Sequence, residues 1–352
     1  MKKLHCRSLI VFALFALIFS GVAYIFVCDT LDQPVNLSNS LNLDSQGRYL
    51  FTIERGSNLK QVSNRLDQKQ IYDYPLLVTT WARLNNKDQV QAGDYWITSA
   101  DTPALLVTKF YNGDIAQHSI TFPEGWSFKQ WLSRLSQIPQ FAFLNNMSVT
   151  ELLNKAGIDI QHPEGWFYPD TYNYSKNDNV FAILKQAHQR MLLELDSAWQ
   201  TRDKQLPYQS AYEALIMASI VEKETGLASE RRTIAGVFVR RLQQGMRLQT
   251  DPTVIYGMGD KYQGNIRRSD LRQFTPYNTY KIDGLPPTPI AMPGLASIEA
   301  ALHPESGSSL YFVARGDGSH QFSDTMSQHI EAVRKFQIEQ RVKDYQSAPK
   351  KP

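Results

Sequence analysis

The chain has 352 residues, enough for two or three domains at roughly 100–200 residues each. Hydrophobic residues make up 42% and charged residues 20%, a balance that excludes a disordered chain. The formal charge is +3, and Lys2, Lys3 and Arg7, ahead of the first acid, account for all of it, so the remaining body is neutral and lacks the basic footprint of a nucleic-acid binder.

Residues 1–7 form a short basic tail, with His5 beside the three cations. Leu9–Val27 reads LIVFALFALIFSGVAYIFV, 19 residues without a charge. As a helix it is about 28 Å long, close to a hydrocarbon core of about 30 Å. We read residues 8–28 as one transmembrane helix, with the tail in the cytoplasm and the body outside. A cleaved signal peptide is the competing reading. Its apolar core would be shorter, about 7–15 residues. Phe26-Val27-Cys28 also makes a poor cleavage site, and the residues before Cys28 do not suit a lipoprotein signal. Cys6 and Cys28 lie at opposite ends of this segment and cannot pair within one chain.

Residues 29–48 are polar and aperiodic and read as a linker. Leu50–Ile53 reads as a strand, followed by an amphipathic helix through Leu66, a helix over Tyr74–Leu84, and a turn plus strand over Gln91–Ile97. Gly56–Leu66 aligns without gaps to Gly125–Leu135, 69 residues on, with Gly, Lys, Gln, Arg and Leu identical. One strand–turn–helix unit used twice explains this; chance similarity of two amphipathic helices is the alternative. Gly165–Tyr174 is dense in aromatics broken by Pro169 and Asp170. It suits a sugar-binding cleft, or equally an aromatic core at a domain junction. Asn179–Arg202 reads as a long helix.

Ser210 and Glu213 have capping-box spacing ahead of a helix over Ala211–Thr225, with Gly226 as its stop. On a wheel, Leu215, Ile216, Met217, Ala218, Ile220 and Val221 point in all directions, so the helix is predicted to be buried on most sides. Glu222, Lys223 and Glu224 fall in its last turn. Glu222 lies between the directions of Leu215 and Ala218, and Glu224 points about 200° away. An apolar setting and the negative end of a helix both keep a carboxylic acid protonated. Protonating a glycosidic oxygen requires such a group. A helix end emerging into water is the plain alternative, and the wheel does not choose between the two acids.

Ser229–Gln244 reads as a further helix ending at Gly245. Loops follow, rich in Asn, Thr, Gln and Tyr and stiffened by Pro: Met246–Gly257, Tyr277–Tyr280, Gly284–Pro287 and Ala291–Gly294. Leu310–Val313 and His320–Phe322 read as a hairpin, and Thr325–Val342 as a last helix before a frayed tail, 343–352. The seven His show no metal-binding spacing, and His303 and His320 read as structural or surface residues, with a cleft also within reach of His320. Ser57-Asn-Leu-Lys60 has the Ser-x-x-Lys spacing of serine acyl-transferases but none of their companion motifs.

Met217-Ala-Ser-Ile-Val-Glu-Lys-Glu-Thr225 followed by Gly245-Met-Arg-Leu-Gln-Thr-Asp-Pro-Thr-Val-Ile-Tyr-Gly257 resembles the YceG-like family of endolytic murein transglycosylases. Pro169–Tyr172, Tyr277–Tyr280, Gly284–Pro287 and Pro293-Gly294 fit in the same order. The resemblance implies an α+β fold behind one anchor: a small LysM-like subdomain over 49–114 and a mixed α+β catalytic domain over 115–342. It implies a periplasmic body on the inner membrane that cuts peptidoglycan strands internally, beside nascent glycan and its synthases, the penicillin-binding proteins. No cofactor, metal or nucleic acid is implied. The catalytic acid maps to Glu222, as general acid and then base, yielding a 1,6-anhydro end. The loop residues Tyr168, Asp170, Gln249, Asp251, Thr253, Tyr256, Tyr277, Asn278, Thr279 and Tyr280 are expected to contact sugar. An anchored peptidoglycan-binding scaffold without chemistry is the alternative.

Overall fold

A computed structural model describes residues 21–340 apart from 23, 39 and 177. The chain divides into two units. The first holds residues up to Ser119 plus Asn173–Asp178, and the second holds Ile120–Tyr172 and everything from Asn179. Most of the expected membrane segment, up to residue 20, lies outside the described residues, as does Cys6. Among the described residues no helix is long and apolar enough to cross a membrane.

In the first unit, β1 (Tyr49–Ile53) leads to α1 (Leu59–Gln68), α2 (Pro75–Leu84), β2 (Gly93–Ile97) and α3 (Pro103–Asn112). β1 and β2 pair antiparallel, Phe51 opposite Tyr95. Phe51, Ile53, Val62, Leu66, Val78, Tyr95, Ile97, Leu106 and Phe110 form one buried core. The expected linker is not a free tether. Residues 24–32 are helical, and Leu31 and Val35 join this core. Val35 N donates to Asp101 O at 2.7 Å and Asn36 N to Ile71 O at 2.9 Å. The apolar residues that dock the segment recur too irregularly to show a period.

β3 (His118–Thr121) pairs with β4 (Thr171–Tyr174), and the division between units runs through both strands. Between them lie α4 (Phe128–Ser136) and α5 (Val149–Ala156). α1 and α4 are built alike. A left-handed glycine precedes each, Gly56 at φ 84° and Gly125 at φ 74°. Asn58 and Ser127 then close reciprocal capping boxes with Gln61 and Gln130. Leu59, Val62 and Leu66 in one, and Phe128, Trp131 and Leu135 in the other, face inward. The aligned sequences thus share one local structure.

The second unit continues with α6 (Val180–Gln200), α7 (Ala211–Glu224) and α8 (Arg231–Gln243). Then come α9 (Asp251–Met258), α10 (Arg268–Arg272), α11 (Leu295–Leu302), the antiparallel hairpin β5 (Tyr311–Ala314) and β6 (His320–Ser323), and α12 (Met326–Val333). Beyond α12, Arg334–Glu339 winds as a π-helix, and the expected helix end at Val342 lies outside the described residues.

α7 is the centre of this unit. Every residue from Ala214 to Glu222 is buried, packed by α6, α8, α9 and α11. Burying each large aliphatic side chain there stabilises the fold by about 1.5–3 kcal/mol, an upper bound. Its start departs from the expected box: Ser210 accepts from Glu213 N, but Glu213 Oε2 accepts from Gln209 N rather than from the cap. Its end departs too. Thr225 turns extended at φ −140°, and its Oγ1 accepts from Leu227 N, so the stop precedes Gly226. Arg241 on α8 is buried and donates to Leu310 O, Leu248 O and Arg247 O, tying the hairpin to the helices.

Candidate active site

Glu222 sits in the last turn of α7 with 5% of its surface exposed. Its Oε2 accepts from Ser297 Oγ at 2.7 Å and from Gly294 N at 3.3 Å. Gly294 is the N-cap of α11 and Ser297 lies in its first turn. The carboxyl therefore faces the positive end of one helix from the negative end of another. Burial wins and pushes the group above the ordinary carboxylate range; Ser297 opposes it, Glu124 reinforces it, and Arg231 and Gly294 oppose it.

The loop before α11 is fixed from below. Ser219 Oγ, one helical turn before Glu222, accepts from Ile290 N at 3.0 Å. Gly165 packs on this loop so closely that a Cβ there would lie 2.5 Å from Pro289.

Two acids that sequence reasoning missed complete the surroundings. Glu124 lies near Arg231, whose guanidinium nitrogen is 3.8 Å from its Oε2. Glu164, 4% exposed, accepts from Phe128 N at 2.9 Å and from Tyr256 OH at 3.1 Å. Burial pushes it up to about 7, against those two bonds and the nearby Lys223. Lys223 Nζ donates to Gly125 O at 3.2 Å. A signal for both acids is present in the sequence: Pro-Glu-Gly-Trp occurs twice, at 123–126 and 163–166.

Glu224, on the opposite face of α7, turns inward to accept from Thr250 Oγ1. Burial pushes it up to about 7 as well, with Thr250 and Arg241 opposing and Asp251 reinforcing. Its bond is to Thr250, whereas Glu222 is held by Ser297 and Gly294. The helix-wheel separation of the two acids holds.

The expected sugar-contacting residues fall into two groups. Thr253, Asn278 and Thr279 are buried and bonded inside the protein. Asn278 Nδ2 donates to the carbonyls of Asp270, Leu271 and Gln273, and its Oδ1 accepts from Tyr280 N. Thr253 Oγ1 and Thr279 Oγ1 share a bond of 2.9 Å. Tyr168, Asp170, Gln249, Asp251, Tyr256, Tyr277 and Tyr280 keep some exposure. Tyr280 OH donates to Asp251 Oδ1 at 2.7 Å, Tyr277 OH meets Thr288 Oγ1 at 2.9 Å, and Gln249 has a left-handed backbone, φ 52°. In the aromatic stretch, Phe167 is core and Trp166 stacks on Tyr212 at 5.3 Å. His320 meets Glu230 Oε2 at 2.7 Å through Nδ1 and is buried, which gives it a structural place.

The YceG-like family profile matches residues 51–335. The chain belongs to the YceG-like family. It is 28% identical over 324 residues to the endolytic murein transglycosylase of Bacillus subtilis strain 168, covering 86% of this chain and 88% of that one. It is 26% identical over 315 residues to the endolytic murein transglycosylase of Streptococcus pneumoniae D39, covering 79% of this chain and 56% of the longer relative. The crystal structure of a yceG-like protein from Listeria monocytogenes aligns with a TM-score of 0.52 at 29% identity, over 81% of this chain and 98% of that one.

Proposed function

We propose that this YceG-like chain is an endolytic murein transglycosylase, cutting the bond between N-acetylmuramic acid and N-acetylglucosamine inside peptidoglycan strands. The observation that carries the reading is one carboxylic acid, Glu222, buried at 5% exposure, with Ser297 Oγ and Gly294 N both donating to its Oε2. Gly294 N–H can only donate, so Oε2 accepts there, and an acid form with its proton on Oε1 is compatible with both bonds.

Glu222 passes that proton to the glycosidic oxygen as the bond to C1 breaks. Positive charge growing at C1 is met by the sugar's own acetamido group or by the site. The sugar's C6 hydroxyl then attacks C1, and Glu222, now an anion, takes the hydroxyl proton. The acid is regenerated, no water is consumed, and the product carries a 1,6-anhydro ring. Most glycosidases use two flanking carboxylates. Here the nucleophile is part of the substrate, so one acid suffices for proton transfer. Ser297, Gly294 and the start of α11 stabilise the anion during the second half.

Tyr168, Asp170, Gln249, Asp251, Tyr256, Tyr277 and Tyr280 are the residues offered for sugar contact, by their exposure and polar ends. The β1–α1–α2–β2 order of the first unit supports its reading as a LysM-like module. The charge-free segment before it supports a single-pass inner-membrane anchor with a periplasmic body, acting on nascent strands beside peptidoglycan synthases and ending their elongation.

Mass analysis of sacculi digested with the full chain tests the reaction class. Anhydro ends support a transglycosylase, reducing ends would make it a hydrolase, and no released product would leave a binding scaffold.

A further inference from the structure

Glu124 is held against the Glu222 site by more than its own side chain. Its turn is clamped to the loop carrying Gly294 by two backbone bonds: Gly125 N to Met292 O and Met292 N to Trp126 O, each 2.8 Å. Lys223 Nζ, next to Glu222 in sequence, bonds the same turn at Gly125 O. A Cβ on Gly294 would stand 1.8 Å from Glu124 Oε1. The Glu124 carboxylate thus rests on the residue whose N–H reaches Glu222. On its other side stands Arg231, at the first position of α8, with a side chain 15% exposed. Among the described residues, Arg231 Nε is buried without a hydrogen-bond partner.

We propose that Glu124 and Arg231 are an opposed pair of positioning residues that act through Glu222, the anion favouring its acid form before the glycosidic bond breaks and the cation favouring its carboxylate afterwards. The inference rests on the proposed role of Glu222. A group that must give and then take a proton in one turnover works best when neither state is strongly preferred. Burial alone would hold Glu222 protonated, and Arg231 and the α11 terminus counter it. Glu124 acts on the same side as burial, against Arg231. It is 44% exposed on its side chain and therefore screened, so its influence is moderate.

The other charges around Glu222 are committed elsewhere. On α7, Lys223 holds Gly125 O and Glu224 holds Thr250. On α8, Arg232, Arg240 and Arg241 donate to backbone carbonyls. On α9, Asp251 accepts from Tyr280; on α6, His188 meets Trp166 O; on α11, Glu299 is exposed. Glu164 accepts from Phe128 N and Tyr256 OH.

The test is the pH profile of the rate of anhydro-end formation by the full chain, with saturating glycan strands, from about pH 4 to about pH 9. The alkaline limb reports loss of the Glu222 proton. Glu124→Gln moves that limb to lower pH and Arg231→Gln moves it to higher pH, each by about 0.5–1 unit. Arg231→Lys restores the original limb. Neighbouring residues that merely supported the fold would not move one limb in opposite directions. Unmoved limbs, or both moving the same way, would overturn the proposal. Should Arg231→Gln fail to fold, the Glu124→Gln profile decides alone. Glu222→Gln separates the two levels: full activity there refutes the role of Glu222 itself, whereas a dead Glu222→Gln with unmoved limbs refutes only the pair.

Discussion

Ser297 Oγ donates to Glu222 Oε2 across 2.7 Å, joining the first turn of one buried helix to the last turn of another. The bond favours the carboxylate over the acid, so removing it raises the proton affinity of Glu222 further. Ser297→Ala should slow turnover by about 10- to 150-fold, since a hydrogen bond to a charged group is worth about 1.5–3 kcal/mol. It should also carry the alkaline limb of activity to higher pH. Rates of anhydro-end formation across pH check both.

Gly294 has an ordinary φ of −79°, so alanine is acceptable to its backbone. The obstacle is Glu124 Oε1, 1.8 Å from where the new methyl would stand. A flexible side chain can swing away, so Gly294→Ala should change stability by less than about 1 kcal/mol. Its activity profile should move in the direction of Glu124→Gln, because the carboxylate has left its seat. Thermal melts and pH–rate profiles on one preparation separate the two effects.

Glu164 carries a stability prediction with a definite sign. Its folded pKa of about 7 lies above the ordinary 4.5, so the folded state holds a proton that the unfolded chain releases first. Stability from this group is therefore full below about pH 4.5, falls as pH rises, and is lost above about pH 7, to a limit of about 3 kcal/mol. Glu164→Gln cannot ionise and should flatten that slope. Urea midpoints at about pH 5 and about pH 8 should differ less in the variant than in the parent.

Asn278 looked from sequence like a sugar contact, yet it is 1% exposed and bonds three carbonyls and one N–H. Asn278→Ala should therefore destabilise the fold by about 1–3 kcal/mol through unpaired buried groups. The substrate KM of the remaining folded enzyme should stay close to the parent's. A large KM change without loss of stability would restore the sugar-contact reading.

Legibility followed the range of the interactions. α7 was readable because its apolar residues face every direction, and β5 and β6 because two short segments flank the turn residues Arg315-Gly-Asp-Gly318. α9 reads as loop because the stretch is rich in Thr, Gln and Tyr and holds Pro252; that Pro instead sits in the helix's first turn, where it is tolerated, and tertiary contacts seat the rest. α11 begins at Gly294 with no side-chain cap to announce it. Glu222 was singled out by its buried helix, and chosen over Glu224 by the family resemblance. Glu124 and Glu164 lie 98 and 58 residues before Glu222, and no periodicity reaches that far. Only the repeated Pro-Glu-Gly-Trp hinted at them.

The central claim is that one side chain both gives and takes the proton. Glu222→Gln keeps the shape and the Ser297 and Gly294 bonds but has no acid proton to give. On purified glycan strands, with folding confirmed by an unchanged melt, mass spectrometry should find anhydro ends from the parent and none from the variant. Anhydro ends released by Glu222→Gln at the parent's rate would contradict it.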